Sequence, residues 1–281
     1  MSRFPETVPI MDEAPSLLID PRRVEALLGK AGGRFTLAAV AECPSTNTVL
    51  MRWAAEGAPS GTVLVADRQT AGRGRRGRAW AASPETSLTF SVLWGFPGEL
   101  ARLSGLSLAV GVAVVRALAH CGADGIRLKW PNDILYDDAK LGGILVELGE
   151  SGDGVARAVA GIGLNLRLPE NLGDAGSASL PATALERILA ALPDRNVLLA
   201  SLLAELAEVF DRFTADGFPG LREAWQACHA WQERPVRLLR DGRVETEGVC
   251  LGADTDGALL LRTADGRLTR CLSGDVSLRP Q

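Results

Sequence analysis

Apolar residues recur three to four positions apart through Leu103, Leu106, Val110, Val114 and Ala117, which predicts a helix over residues 100–120 stopped by Cys121-Gly122. Elsewhere the period shortens to that of strands. FTLAAVAEC (35–43), GTVLVADRQ (61–69), SLTFSVLW (87–94) and VARAVAGIGLNL (155–166) read as strands, and residues 126–148 as three strands divided by a proline turn and by Asp137-Asp138. Residues 44–57 predict a helix capped by Ser45 or Thr46 and ended by Gly57. A short helix is expected at residues 21–28, with others near 185–192, 197–213 and 221–229, while the polar stretch 169–183 reads as a surface loop. From Pro235 the character changes. Short apolar runs alternate with the turn pairs Asp241-Gly242, Asp256-Gly257, Asp265-Gly266 and Ser273-Gly274, which predicts successive hairpins and a small β-barrel over residues 233–281. No internal repeat is present. Residues 1–34, rich in proline, acids and glycine, are expected to be a poorly ordered extension with one helix.

Composition narrows the class. The 281 residues are 47% hydrophobic and 23% charged, which suits one large domain, or a large one with a small one. A net charge of −4 argues against a dedicated nucleic-acid binder. Five cysteines (43, 121, 228, 250 and 271) form no CxxC pair, and with only two histidines no zinc site is expected. Scattered thiols in odd number fit a reducing cytoplasm. The N-terminus lacks the apolar run of a signal peptide, and the longest uncharged stretch, 103–115, is too short for a bilayer. The expectation is a soluble cytoplasmic protein with no membrane partner.

Against this acidic background, TAGRGRRGRAW (70–80) gathers four arginines and three glycines between Gly72 and Arg78. The run matches GxGxxG formally and follows a strand. A dinucleotide site, however, needs a helix to begin inside the motif, and RAWAASPETS has no helical period. No Lys-Ser/Thr follows, so it is not a P-loop. An arm for nucleic acid would be terminal or repeated, on a basic surface. What survives is a loop whose glycines permit close backbone approach and whose guanidiniums suit carboxylate and phosphate oxygens. Four like charges repel, so such a loop is expected to be protease-sensitive when empty and to order around an anion.

The chain resembles the bacterial biotin protein ligases. GRGRRGR (72–78), KWPND (129–133), KLGGILVE (140–147) and GIGLN (161–165) occur in that family's order and approximate spacing, with STN (45–47) and Gln69 at matching places upstream. The resemblance covers residues 40–281, including DGALLL and SGDVSLR near the C-terminus. It implies an α+β fold: a mixed sheet with helices packed on one face over residues 35–232, and an SH3-like barrel over 233–281. It also implies two-step chemistry. Biotin and ATP give biotinyl-5′-AMP and pyrophosphate, and a lysine of a biotin carboxyl carrier protein then accepts the biotin. Such steps need placed cations and a dry pocket rather than a protein nucleophile.

Carried onto this sequence, the resemblance assigns Ser45, Thr46, Asn47, Gln69, Gly72, Arg73, Gly74, Arg75, Lys140 and Gly143 to biotin, although Ser45 to Asn47 also read as a helix cap. Arg73, Arg75, Arg78, Trp80, Lys129, Asn132, Lys140 and Asn165 fall to ATP, with Arg76 a further phosphate candidate and Trp80 otherwise a core residue. Lys140 and Arg75 are the catalytic candidates, Lys140 neutralising two anions pressed together. Asp133 is a candidate for orienting the acceptor lysine, and Gly142 stands where the family often has alanine. Mg2+ is expected to arrive with ATP, with no metal site in the protein. With 44 residues before Ser45, a winged-helix domain is not expected, so no operator binding is expected either. A monomer, or a homodimer through an exposed sheet edge, both stay open. The alternatives are a lipoate–protein ligase and a biotin-sensing or nucleic-acid-binding module.

Overall fold

The structure, a computed structural model, describes residues 14–149, 154–169, 180–240, 243–272 and 276–280. Residues 1–13, most of the loop at 169–183, Asp241-Gly242 and Ser273-Gly274 therefore lie outside the described residues. Seven strands form one sheet: β1 (Thr36–Cys43), β2 (Thr62–Gln69), β3 (Ser87–Pro97), β4 (Arg127–Lys129), β5 (Asp133–Tyr136), β6 (Ala139–Gly149) and β7 (Val155–Asn165). Their order is β1-β2-β3-β7-β6-β5-β4. β1 and β2 run parallel, joined by helix α2 (Thr46–Ala55); the other pairs are antiparallel, so the sheet is mixed.

Alternation along the strands sorts the two faces. Leu88, Phe90, Val92, Trp94 and Phe96 of β3 point into the main core with Ala158, Ala160, Ile162 and Leu164 of β7. Against them pack α3 (Leu106–His120) and α4 (Arg195–Asp216), where Phe96 meets Phe210 and Phe213 edge-on. On the opposite face Val49, Leu50 and Trp53 of α2 cover Leu64, Leu93 and Val159. The main helical layer thus lies on one side, as expected, and α2 leaves room beside it for a cleft.

Several boundaries differ from the sequence reading. The helix expected over 100–120 begins at Leu106, after a separate 3-10 turn at Leu100–Leu103. Gly105 between them has φ 80°, and a Cβ there would lie 2.7 Å from the Phe218 ring. The break is imposed by packing that periodicity does not register. Leu100–His120 is also the one stretch, among the described residues, long and apolar enough to span a bilayer, and α3 is instead buried against the sheet and α4. Only a 3-10 turn, Leu185–Arg187, occupies the helix expected at 185–192. Glu186 there accepts from Leu168 N, and the chain must soon reach Asp194, the N-cap of α4. Helix α5 (Pro219–Cys228) follows a turn at Gly217 (φ 64°).

The N-terminal region is not a loose tail from Ala14 onward. Ser16 N donates to Ala39 O, Ala41 N donates to Ala14 O, and Ser16 Oγ bonds the buried Asp67 at 2.6 Å. Helix α1 (Pro21–Leu28), capped by Asp20, then packs on α4. This strap bridges Val40 of β1, and His229 bridges Leu128 of β4, so each outer strand of the sheet carries a bridge to a neighbouring segment.

Strands β8 (Pro235–Arg240), β9 (Arg243–Ala253), β10 (Leu259–Arg262), β11 (Leu268–Cys271) and β12 (Val276–Pro280) form an antiparallel sheet ordered β11-β10-β9-β8-β12, the SH3-like unit. Its inner face (Val236, Leu238, Cys250, Leu259, Leu261, Leu278) is continuous with the main core through Trp130, Trp225 and Trp231. Trp130 Nε1 donates to Gly257 O at 3.0 Å, and a Cβ on Gly257 would approach Gly105 Cα to 2.8 Å.

His229 sits in this junction, stacked on Trp225 and 4% exposed. Burial pushes its imidazole down to about 4, so the unfolded chain binds the extra proton between about pH 6.5 and 4. Stability from this residue is complete above pH 6.5 and lost as pH falls through 4, on the order of 3 kcal/mol in all. Urea unfolding of His229→Phe is expected to show a flatter pH dependence in that window than the parent; equal slopes would refute a buried neutral imidazole.

Candidate active site

A cleft of about 270 Å³ opens on the sheet face beside α2. Its floor is β7, where Gly161, Gly163 and Asn165 replace the bulk that alternation would otherwise place there, together with Gly143 and Leu145 of β6. The glycines are needed for space. A Cβ on Gly161 would lie 2.1 Å from Asn47 Oδ1, and one on Gly163 2.5 Å from the Trp80 ring.

One end of the cleft is uncharged. Ser45 caps α2, its Oγ accepting from Thr48 N, and Thr46 N donates to Gln69 Oε1 at 2.8 Å. Asn47 Nδ2 donates to Leu145 O at 3.0 Å and to Glu147 Oε2 at 2.9 Å, which fixes the amide orientation and uses both of its protons. Ser91 Oγ lies within donating distance of Asn47 Oδ1 at 2.6 Å and of Thr46 Oγ1 at 2.7 Å, while Thr46 Oγ1 donates to Gln69 Oε1 at 3.2 Å. This chain leaves lone pairs on Thr46 Oγ1 and N–H groups on Gln69 for a ligand. Asn47 borders the cleft, but its donors belong to the protein.

The other end is cationic. Lys140 opens β6 after the Asp137-Asp138 turn, where both residues have positive φ (53° and 56°) as a tight hairpin requires. Its Nζ lies 2.6 Å from Asp133 Oδ1, while Asp133 Oδ2 pairs with Lys129 Nζ. Asp133 is 8% exposed and Lys129 4%. Burial would raise the Asp133 carboxyl, yet the two ammoniums outweigh it and hold that carboxyl well below the usual carboxylate range. Burial likewise pushes Lys129 down to about 8, against the pull of Asp133. Arg279, from β12, faces Asp133 and Arg78, and burial lowers its pKa.

The basic loop folds over the opening. Gly74 N donates to Arg78 O, Trp80 N donates to Gly72 O, and Arg75–Gly77 make a 3-10 turn with Arg76 at φ 63°. Arg75 Nη1 reaches Asn132 Oδ1 at 3.4 Å, and Arg73 Nη2 reaches Glu147 Oε1 at 2.7 Å. Trp80 lies over Gly163, its ring 5.9 Å from Lys140 Nζ, and its buried Nε1 has no partner. Asn132 and Asn165 brace the walls: Asn132 Nδ2 donates to Ile144 O, and Asn165 Nδ2 to Lys140 O and Thr183 O.

Ser45, Thr46, Asn47, Gln69, Arg73, Gly74, Arg75, Arg78, Trp80, Asn132, Lys140, Gly143 and Asn165 thus meet around one cavity. Two assignments are corrected. Gly72 is buried behind the loop, where a Cβ would lie 2.4 Å from Trp80 O, and Lys129 stands behind the wall and reaches the cleft only through Asp133. Asp133 itself has an ammonium on each oxygen, so it is committed before any acceptor arrives. Sequence reasoning missed Ser91, Glu147, Gly161 and Arg279. The alternate glycines of GIGLN signalled Gly161; nothing local marks the others. Among the described residues no three His, Cys, Asp or Glu side chains could hold a metal, and Glu147 and Asp133 are both engaged, so the wall does not fit a protein-bound Mg2+.

Comparison with known proteins accords with this arrangement. The family described as Biotin/lipoate A/B protein ligase matches residues 39–165, and the Biotin protein ligase C terminal domain matches 233–279. The bifunctional ligase/repressor BirA of Salmonella typhimurium is 36% identical over 269 residues, covering 94% of this chain and 80% of that protein. The biotin–[acetyl-CoA-carboxylase] ligase of Mycobacterium tuberculosis is 35% identical, covering 90% and 92%. A solved biotin protein ligase from Aquifex aeolicus, in complex with biotin and ATP, superposes with TM-score 0.72 at 32% identity over 88% of this chain and 99% of that one.

Proposed function

The chain belongs to the biotin protein ligase family, and from that premise we propose that it activates biotin with ATP and transfers the biotinyl group to a lysine of a biotin carboxyl carrier protein. The observation that carries this reading is the polarity of one cleft. Its uncharged end presents acceptor and donor groups at Thr46 and Gln69, as a cyclic urea requires, and its far end presents Lys140 and Arg75.

In the first step a carboxylate oxygen of biotin attacks the α-phosphorus of ATP. A new O–P bond forms, the bond to the β-phosphate oxygen breaks, and pyrophosphate leaves. Two anions must come within about 3 Å, a strong repulsion where the effective dielectric is low. Lys140, held by Asp133, and Arg75, held by Asn132, are already oriented when that charge gathers, so little reorganisation remains. In the second step the acceptor lysine's neutral amine attacks the acyl carbon; the C–O bond to AMP breaks, AMP leaves, and the new amide nitrogen releases its proton to solvent. No protein nucleophile takes part. Magnesium is read as the counter-ion of the nucleotide substrate, since among the described residues the wall offers no carboxylate that is not already paired.

Pyrophosphate release with MgATP, comparing biotin, lipoate and no acid, tests the proposal. Biotin-dependent release is expected; release with lipoate alone would assign the sister activity, and none with either would leave a binding module. Trypsin cleavage at Arg73–Arg78 is expected to slow when biotin and ATP are both present, and equal rates with and without them would refute loop closure.

A further inference from the structure

Glu147 belongs to none of the residues assigned above to biotin or ATP, yet it joins two parts of the cleft. It lies on β6, two positions beyond Leu145. Its Oε1 accepts from Arg73 Nη2 at 2.7 Å, and its Oε2 accepts from Asn47 Nδ2 at 2.9 Å. One carboxylate therefore holds the arginine loop with one oxygen and the start of α2 with the other. An ion pair this accessible, with Arg73 46% and Glu147 28% exposed, ordinarily contributes little, because two long side chains must be ordered to make it. Here the ordering is done on the acid's side. Asn47 is locked by Leu145 O and Ser91 over Gly161, where no side chain could intrude, and it fixes Glu147 in turn. A guanidinium has five N–H donors and this contact engages one Nη group, so the rest of the Arg73 fork stays available at the cleft.

We propose that Glu147 is a positioning residue for the arginine loop: it clasps Arg73 against β6, and so presets the loop to close over the acyl-adenylate. The loop-holding half stands on the contacts alone; the adenylate half rests on the ligase reading above. Glu147 stands outside the cleft lining and acts through Arg73.

The test uses the full chain with Glu147→Gln, which keeps the side chain's shape and an acceptor for Asn47 while removing the charge. In the protein without ligands, tryptic cleavage at Arg76 or Arg78 is expected to speed up about twofold to fivefold, with an unchanged melting temperature. In an Arg73→Gln background the same substitution is expected to add nothing. With MgATP and biotin, Glu147→Gln is expected to release biotinyl-AMP faster by a similar factor. A residue that only shapes the strand would lower the melting temperature and would act equally in both backgrounds. Unchanged cleavage, or equal effects with and without Arg73, overturns the proposal. Absence of biotin-dependent pyrophosphate release from the parent protein would sink the ligase reading instead, and the ligand-free cleavage comparison would still decide the role of Glu147.

Discussion

Lys140→Ala is expected to cut biotin-dependent pyrophosphate release by about 10²- to 10³-fold, the usual cost of removing one preorganised charge donor from a developing anion. The effect should fall on the rate rather than on folding. Lys129 still neutralises Asp133 in the variant, and the Lys140 side chain, 30% exposed, leaves no sealed cavity behind. Pre-steady-state pyrophosphate release at saturating biotin and ATP reads the step directly, and melting temperature serves as the control. A variant within tenfold of the parent would remove Lys140 from the chemistry and shift the burden to Arg75.

Asp133→Asn is the second large effect, and it is one of stability. The substitution leaves the Lys129 ammonium, 4% exposed, without its counter-charge and beside a second ammonium. Breaking a buried pair from one side costs about 3–5 kcal/mol, because the remaining charge has neither water nor partner. Chemical denaturation should show a midpoint lowered accordingly. The combined variant Lys129→Met with Asp133→Leu is expected to recover most of that loss, since a buried pair exchanged for apolar volume is often neutral. It should not recover pyrophosphate release, because Lys140 would then lack the carboxylate that aims it. Full stability in Asp133→Asn would mean that Lys129 loses its proton at no cost, contrary to the geometry.

Much of this was legible in the chain because short-range rules carried it. Alternation along β3 and β7, the Asp137-Asp138 hairpin and the Ser45 cap are each decided by a few neighbouring residues. The cationic cluster was legible through its motifs, which place Lys140, Asn132 and the arginine loop near one another. What escaped depends on contacts far apart in sequence. Gly105 breaks a periodic helix because Phe218 occupies the space beside it. Residues 185–192 carry apolar residues at helical spacing yet turn early to meet the cap of α4. Glu147 reads as a solvated acid on a strand until Arg73, 74 positions away, is folded onto it. Asn47 looked like a ligand donor until Leu145 and Glu147 were seen to take both of its N–H groups. Lys129 and Asp133, four apart, could not be recognised as buried before Trp231, about a hundred positions on, came to lie beside Lys129.

The 2.1 Å that separates a Cβ at position 161 from Asn47 Oδ1 also constrains how such a cleft can drift. Any side chain at 161 displaces the amide that orders Ser91 and Glu147, while a smaller residue at 47 strands Ser91, Leu145 O and the carboxylate together. Neither position has a neutral single step. A lineage altering what this end of the cleft accepts would have to change both in concert. Novelty at this end of the cleft therefore arrives by paired replacement or not at all.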